Sequence, residues 1–197
     1  KMNPKDNHTH RQILDASEKL FSERGYAAVT LQDIAHAVEM RHASLYYYAP
    51  GGKEELYIKV MERGFRQHGE GLTNAIIEAG DDFRAQIHAV AHWFATHPPI
   101  DLGRIVRSDL PAIDPAAAHR LISLSLETLR MPIAAAVRNA VRKGQVNVAD
   151  PDFAAMGLVA LLQSVHNIPP MFMGDMEARV QAAIASADML LDGWFKR

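Results

Sequence analysis

Residues 30–56, TLQDIAHAVEMRHASLYYYAPGGKEEL, constrain the fold more than the rest of the chain together. Leu31, Ile34, Ala35 and Val38 recur at the spacing of one helix face. Thr30 precedes them with Asp33 three residues on, a capping box with Asp in place of Glu. A turn is expected near Glu39–Arg41, then a second short helix from about His42 to Tyr48, broken by Pro50-Gly51-Gly52. Two short helices around a tight turn predict a helix-turn-helix. The second helix is crowded with Ser44, Tyr46, Tyr47 and Tyr48, a short hydrogen-bonding face of the kind that enters a major groove.

The remainder reads as helix. No period-2 alternation is sustained and no Asn-Gly or Asp-Gly hairpin signal occurs. Ile13, Leu14, Ala16, Leu20 and Phe21 form one stripe from Arg11 to Arg24, and Gly25 is placed to stop that helix. Lys53 begins a long helix with Leu56, Val60 and Phe65 inward; Gly64, Gly69, Gly71 and Gly80 are expected to weaken it. Further helices are expected at about 82–96, 102–110, 115–143, 151–167 and 175–196, with Pro132 kinking the third of these. The predicted domains are a DNA-binding module over 1–52 and a helical module over 53–197, the latter opened by a connecting helix at 53–70. The structural boundary between the two modules is expected near Gly69–Gly71, inside or beside that helix and not in a flexible linker.

Composition narrows the class. The chain has 48% hydrophobic residues, enough for a core, and no cysteine, which excludes disulfides and thiolate metal sites and fits a cytoplasmic location. No apolar run approaches the roughly 18 residues that span a bilayer, so no membrane partner is expected. No signal peptide opens the chain; Met2 is expected to be the translation start, with Lys1 an added residue. Net charge is −2, from +1 over residues 1–69 and −3 over 70–197. That balance does not advertise nucleic acid, but a DNA-reading face needs only a few well-placed donors.

In the second short helix Leu45 is expected to point inward. Arg41, His42, Ala43 and Ser44 then stand nearest base edges, and the three tyrosines can donate hydroxyls to phosphate. Lys53 opens the next helix, where its ammonium and the helix dipole both favour a phosphate. Taken alone, three consecutive tyrosines are more often packing than DNA contact. The order of cap, apolar DIA, turn, LYYY, Pro-Gly break and KEEL reverses that preference.

Over about residues 8–60 this order resembles the DNA-binding end of the TetR family of bacterial repressors, and the rest resembles it in helical plan. Thr30, Asp33, Ile34, Ala35, Leu45, Tyr46, Tyr48, Lys53, Glu54 and Leu56 match the family pattern. Three departures stand out: Glu39 at the turn glycine, Arg41 at the Ser or Thr cap, and Ala49 for Phe, with Gly51-Gly52 one residue longer than the common loop. The resemblance implies DNA contacts from Thr30, Gln32, Arg41, His42, Ser44, Tyr46, Tyr47, Tyr48 and Lys53. It also implies an all-α homodimer, a palindromic double-stranded operator, and a small-molecule effector that releases it.

Residues 70–197 carry no comparable motif. Phe153, Met156, Gly157, Ala160, Leu161 and Ser164 share a helix, and Val180, Ala183, Ile184, Ala187, Leu190, Leu191 and Trp194 form a stripe on the last one. The resemblance implies that these two helices pair across a dimer; burial within their own chain is the alternative. Met171, Phe172, Met173 and Met176 form a soft apolar cluster. An effector pocket is expected among His88, His92, Trp93, Arg107, Leu126, Arg130 and Phe172, suited to a mainly apolar molecule with one polar or anionic end. His88 and His92 stand four apart, as metal ligands can, with His97 just past the helix end, but no HExxH motif and no nearby acidic ligand at matching spacing accompanies them. Neither metal, cofactor nor catalytic residue is assigned, since no catalytic motif appears. Two rival readings stay open: a helical metal enzyme built on His88 and His92, and a helix-turn-helix scaffold that has lost DNA binding.

Overall fold

The computed structural model describes residues 4–194. Lys1, the expected start at Met2 and the last two residues of the helix expected over 175–196 lie outside them. Eleven α-helical segments occur in order: α1 Pro4–Ala28, α2 Leu31–Ala37, α3 His42–Tyr48, α4 Gly52–Glu78, α5 Phe83–Thr96, α6 Leu102–Arg104, α7 Pro115–Ser125, α8 Met131–Arg142, α9 Pro151–Ser164, α10 Pro170–Met173 and α11 Met176–Trp194. A π turn, Ile105–Asp109, and a 3₁₀ turn, Leu110–Ala112, follow α6. No β-strand occurs among the described residues. The fold class is therefore all-α, as the sequence predicts.

The expected breaks are visible in the backbone. Gly25 interrupts α1 at φ 75°, a conformation that glycine adopts without steric cost. Pro132 acts by a route that spacing alone does not reveal. It has no N–H to offer and its ring crowds the preceding turn. The chain answers with a π turn, Leu126–Arg130, that joins α7 to α8 while every capping residue stays right-handed helical. Gly69 and Gly71 also have a role beyond weakening α4. A Cβ at Gly69 would stand 2.8 Å from Thr128 Cβ, and one at Gly71 only 1.9 Å from the Trp93 ring. Both glycines admit a close neighbour.

The chain divides into two compact units. One is Lys1–Gly64 with Asp101–Leu124; the other is Phe65–Ile100 with Ser125–Arg197. In the first, α1, α2 and α3 pack around Ile13, Phe21, Val29, Ile34, Leu45, Leu56 and Tyr57, all buried. Tyr57 meets Phe21 and Tyr26 edge-on, with ring centroids 5.2 and 5.0 Å apart. Asp109, only 3% exposed, is the polar centre of this unit. Its carboxylate accepts the Tyr26 backbone N–H at 3.1 Å and the Tyr57 hydroxyl at 3.2 Å, with Arg104 Nε 3.6 Å away. Arg104 also donates to the carbonyls of Phe21 and Ser22, in the turn just before the break at Gly25. Burial and the Asp109 charge push the Tyr57 phenol far above its usual range, so it stays a donor.

In the second unit α5 packs on α11 and α8 on α9, around Ile87, Val90, Phe94, Ile133, Val137, Leu158, Leu162, Ala183 and Leu191. Arg84 of α5 pairs with Asp188 and Asp192 of α11, and Lys143 reaches Asp81 at 2.9 Å. The α11 stripe is mostly core of its own chain: Val180, Ala183, Ala187 and Leu191 are buried. A different line is left open, with Phe153 73% exposed, Met156, Gly157 and Ala160 on α9, and Met189 70% exposed on α11.

Candidate functional site

The local physics of residues 30–53 positions every side chain expected to face DNA. The α2 N-terminus closes as a capping box. Thr30 N–H donates to Asp33 Oδ2 at 2.8 Å, and Asp33 N–H donates to Thr30 Oγ1 at 3.1 Å. The Thr30 hydroxyl, which also donates to Asp33 Oδ2 at 2.6 Å, and then the Thr30 backbone N–H hold the Asp33 carboxyl below the usual carboxylate range.

The turn is a helix C-cap of the Schellman type. Met40 N–H donates to Ala35 O at 2.9 Å and Glu39 N–H to His36 O at 3.1 Å. That motif needs a left-handed residue, and Glu39 supplies it at φ 54°, where glycine usually sits. The turn therefore keeps its shape and carries strain of about 1 kcal/mol. Arg41 is the N-cap of α3 and makes no side-chain cap bond, as its replacement of Ser or Thr predicts.

On α3, Leu45 is 1% exposed and Ala49 is also buried, so both fix the helix to its neighbours. Arg41, His42, Ala43 and Ser44 are exposed at its start. Tyr46 and Tyr47 are exposed beyond them, and His42 meets Tyr46 edge-on at 5.5 Å. Tyr48 is half-buried, 5.1 Å from Tyr47 and 6.5 Å from His10. Thr30 and Gln32 are exposed on α2. Lys53 is engaged within the protein: its Nζ donates to Tyr26 O at 3.1 Å and lies 4.1 Å from the centre of the Tyr26 ring. The nine expected contact residues thus lie on α2, α3 and the start of α4. Among the described residues, eight have no side-chain polar partner outside the capping box, and the ninth, Lys53, holds the end of α1.

The expected effector residues do not form one group. His92 and Trp93 line a cavity of about 780 Å³ between α4 and α5. His88 instead lies 2.9 Å from Asp188, and Arg130 pairs with Asp152 at 2.6 Å. Leu126 and Phe172 are exposed, and Arg107 is exposed on the π turn of the first unit. A smaller cavity, about 490 Å³, lies between α4 and the α7–α8 junction beside Glu127, Thr128 and Pro132. Polar residues of α4 that line the larger cavity, Gln67, Glu70, Asn74 and Glu78, escaped the sequence reading. Their one signal was a shared helix face, which is also the mark of a solvated surface. No group of three His, Cys, Asp or Glu able to hold a metal occurs among the described residues, and no described helix is long and apolar enough to cross a membrane.

A capped helix-turn-helix with a polar recognition face, carried on an all-α body, defines the class of helix-turn-helix regulators. Residues 13–60 match the family pattern described as bacterial regulatory proteins, tetR family, and residues 84–192 match that of the AefR-like transcriptional repressor C-terminal domain. The chain therefore belongs to the TetR family, whose members are transcription regulators and not enzymes. It is 46% identical over 54 residues, 27% of its length, to the negative regulator IcaR of the biofilm operon icaADBC of Staphylococcus epidermidis. It is 35% identical over 79 residues, 40% of its length, to the repressor KstR2 of Rhodococcus jostii. These matches cover only 29% and 38% of those two proteins. Among solved structures, AibR in complex with isovaleryl coenzyme A and operator DNA superposes with a TM-score of 0.75 at 18% identity, covering 92% of this chain and 97% of that one.

Proposed function

We propose that this protein is a dimeric repressor that binds a palindromic operator through α3 and is released by a small molecule held in its second unit. The exposed polar face of α3, locked from behind by Leu45, carries the reading. Arg41, His42 and Ser44 read base edges, with Arg41 suited to guanine O6 and N7. Tyr46, Tyr47, Tyr48, Thr30, Gln32 and Lys53 hold phosphates and set the register. For Lys53 this means exchanging the Tyr26 carbonyl for a phosphate. The open apolar line on α9 and α11 suits a two-fold contact with a second copy, since monomers rarely leave such a patch bare. Two heads on one dimer then meet successive major grooves about 34 Å apart. The repressor names of the relatives IcaR and KstR2 support repression, and the AibR complex supports an effector.

Selection of bound duplexes from random DNA tests the reading. A palindrome should emerge, and its binding should weaken steeply with salt as fewer counterions gain by release. Tyr46→Phe and Lys53→Ala should each weaken it by about 1 kcal/mol. Ser44→Ala and Arg41→Ala should also change the preferred bases. Unchanged binding in all four variants would refute the assignment of α3.

A further inference from the structure

Of the expected contacts on α3, Tyr48 alone is half-buried, and a ring from α1 lies against it. His10, also half-buried, stands with its ring centroid 6.5 Å from that of Tyr48, tilted 32° to it. Tyr47 in turn meets Tyr48 edge-on at 5.1 Å. A run of rings thus leads from α1 to the exposed end of α3, wholly within the first unit.

The charged groups of α4 that act on His10 are already committed to other partners. Glu55 pairs with Lys59 at 2.6 Å through one oxygen and accepts the Gly51 N–H at 2.7 Å through the other. Arg63 pairs with Asp15 at 2.7 Å and with Glu18. Among the described residues, no hydrogen bond or ion pair engages the His10 ring itself. Burial holds its pKa below the ordinary value; the Lys59 charge adds to this, the Glu55 charge opposes it, and Arg63 adds the least. The imidazole is therefore mostly neutral near pH 7 in the free protein, next to a tyrosine expected to carry a phosphate.

From this corner we infer that His10 is a positioning residue for operator binding: it takes a proton from solvent when a phosphate docks on Tyr48, and the imidazolium then steadies that contact. The inference rests on the operator reading above and names a regulation of that same site. A phosphate oxygen bonded to the Tyr48 hydroxyl lies within roughly 12 Å of the His10 ring centre, whatever its direction. Its negative charge favours the imidazolium, so the pKa in the complex exceeds that in the free protein. The complex then binds more protons than its separate parts. The gain in affinity is complete below the lowered pKa of the free protein and is lost as pH rises through the higher pKa of the complex.

The test is operator affinity by fluorescence anisotropy from about pH 8 to about pH 5.5, at constant ionic strength, on the duplex recovered by selection from random DNA. Native protein should gain at least about fivefold more affinity over that range than His10→Gln, or roughly twofold from each head of a dimer. His10→Arg, with a fixed charge, should bind like the native protein at the acid end and keep that affinity toward pH 8. His8, His36 and His42, exposed in the same head, are common to all three proteins, so the differences between them report His10 alone. Circular dichroism checks that both variants fold. Parallel profiles for native and His10→Gln, a smaller acid gain in the native protein, or a His10→Arg profile with the native slope would each overturn the inference. Any of these leaves the regulator reading standing if salt-dependent operator binding persists near pH 8. No operator binding at any pH would overturn both.

Discussion

Replacing Asp109 with alanine should be among the most damaging single changes in the first unit. Asp109 is 3% exposed and serves three partners, the Tyr26 N–H, the Tyr57 hydroxyl and Arg104. Alanine would leave two buried donors without an acceptor, at about 1–3 kcal/mol each, and a guanidinium without its counter-charge. Breaking a buried charged pair from one side typically costs about 3–5 kcal/mol, and the sum of the orphaned donors falls in the same range. Asp109→Asn keeps an acceptor oxygen and loses only the charge, so about half that loss is expected. Urea unfolding followed by circular dichroism would read the global change as a lower midpoint at constant slope. Amide exchange at Tyr26 would read it locally, and about 3 kcal/mol corresponds to more than a hundredfold faster opening. An Asp109→Ala variant within about 1 kcal/mol of native, with Tyr26 still protected, would refute the view that this carboxylate holds the unit together.

Glu39→Gly should raise stability by about 1 kcal/mol in thermal melts, because it relieves a left-handed glutamate in an otherwise satisfied cap; a loss of stability would show the strain assignment to be wrong. His68 has a folded pKa of about 4 against an ordinary 6.5, so its contribution to stability is complete above pH 6.5 and is lost as pH falls toward 4. The loss is on the order of 3 kcal/mol. The His68→Gln variant should therefore show a shallower decline over that window, and an identical decline would exclude His68 as its source. Ala160→Glu, on the open line of α9, should turn a dimer into monomer by light scattering and abolish operator binding with the fold intact. A native protein that is already monomeric at micromolar concentration would refute the dimer proposal.

The head of the protein was legible because its signals are local. Thr30 and Asp33 are three residues apart and cap each other; Leu45 and the Pro-Gly break need only their own helix to be understood. Even the oddity at Glu39 could be anticipated, since only the glycine position of a helix C-cap demands positive φ. The effector residues were not legible in the same way. His88, Arg130 and Trp93 look alike as polar or aromatic points on helices. What separates them is the partner that each meets: Asp188, Asp152 and His68. Those partners are 100, 22 and 25 residues distant, and no periodicity encodes them. The same holds for α11, where a stripe of small apolar residues fits an internal core as well as it fits a second copy.

The bond from Tyr26 to Asp109 spans 83 residues of chain. A growing polypeptide therefore carries the whole DNA-reading motif well before it owns the carboxylate that secures it. Once Tyr57 is made, Asp109 is 52 residues further on, so at synthesis rates of about 5–20 residues per second the wait is roughly 3–10 s. During that interval the end of α1 lacks its acceptor and the Tyr57 hydroxyl must be satisfied by water. The head is thus completed late in translation, and a chain truncated before Asp109 would present its helix-turn-helix on an unfinished base.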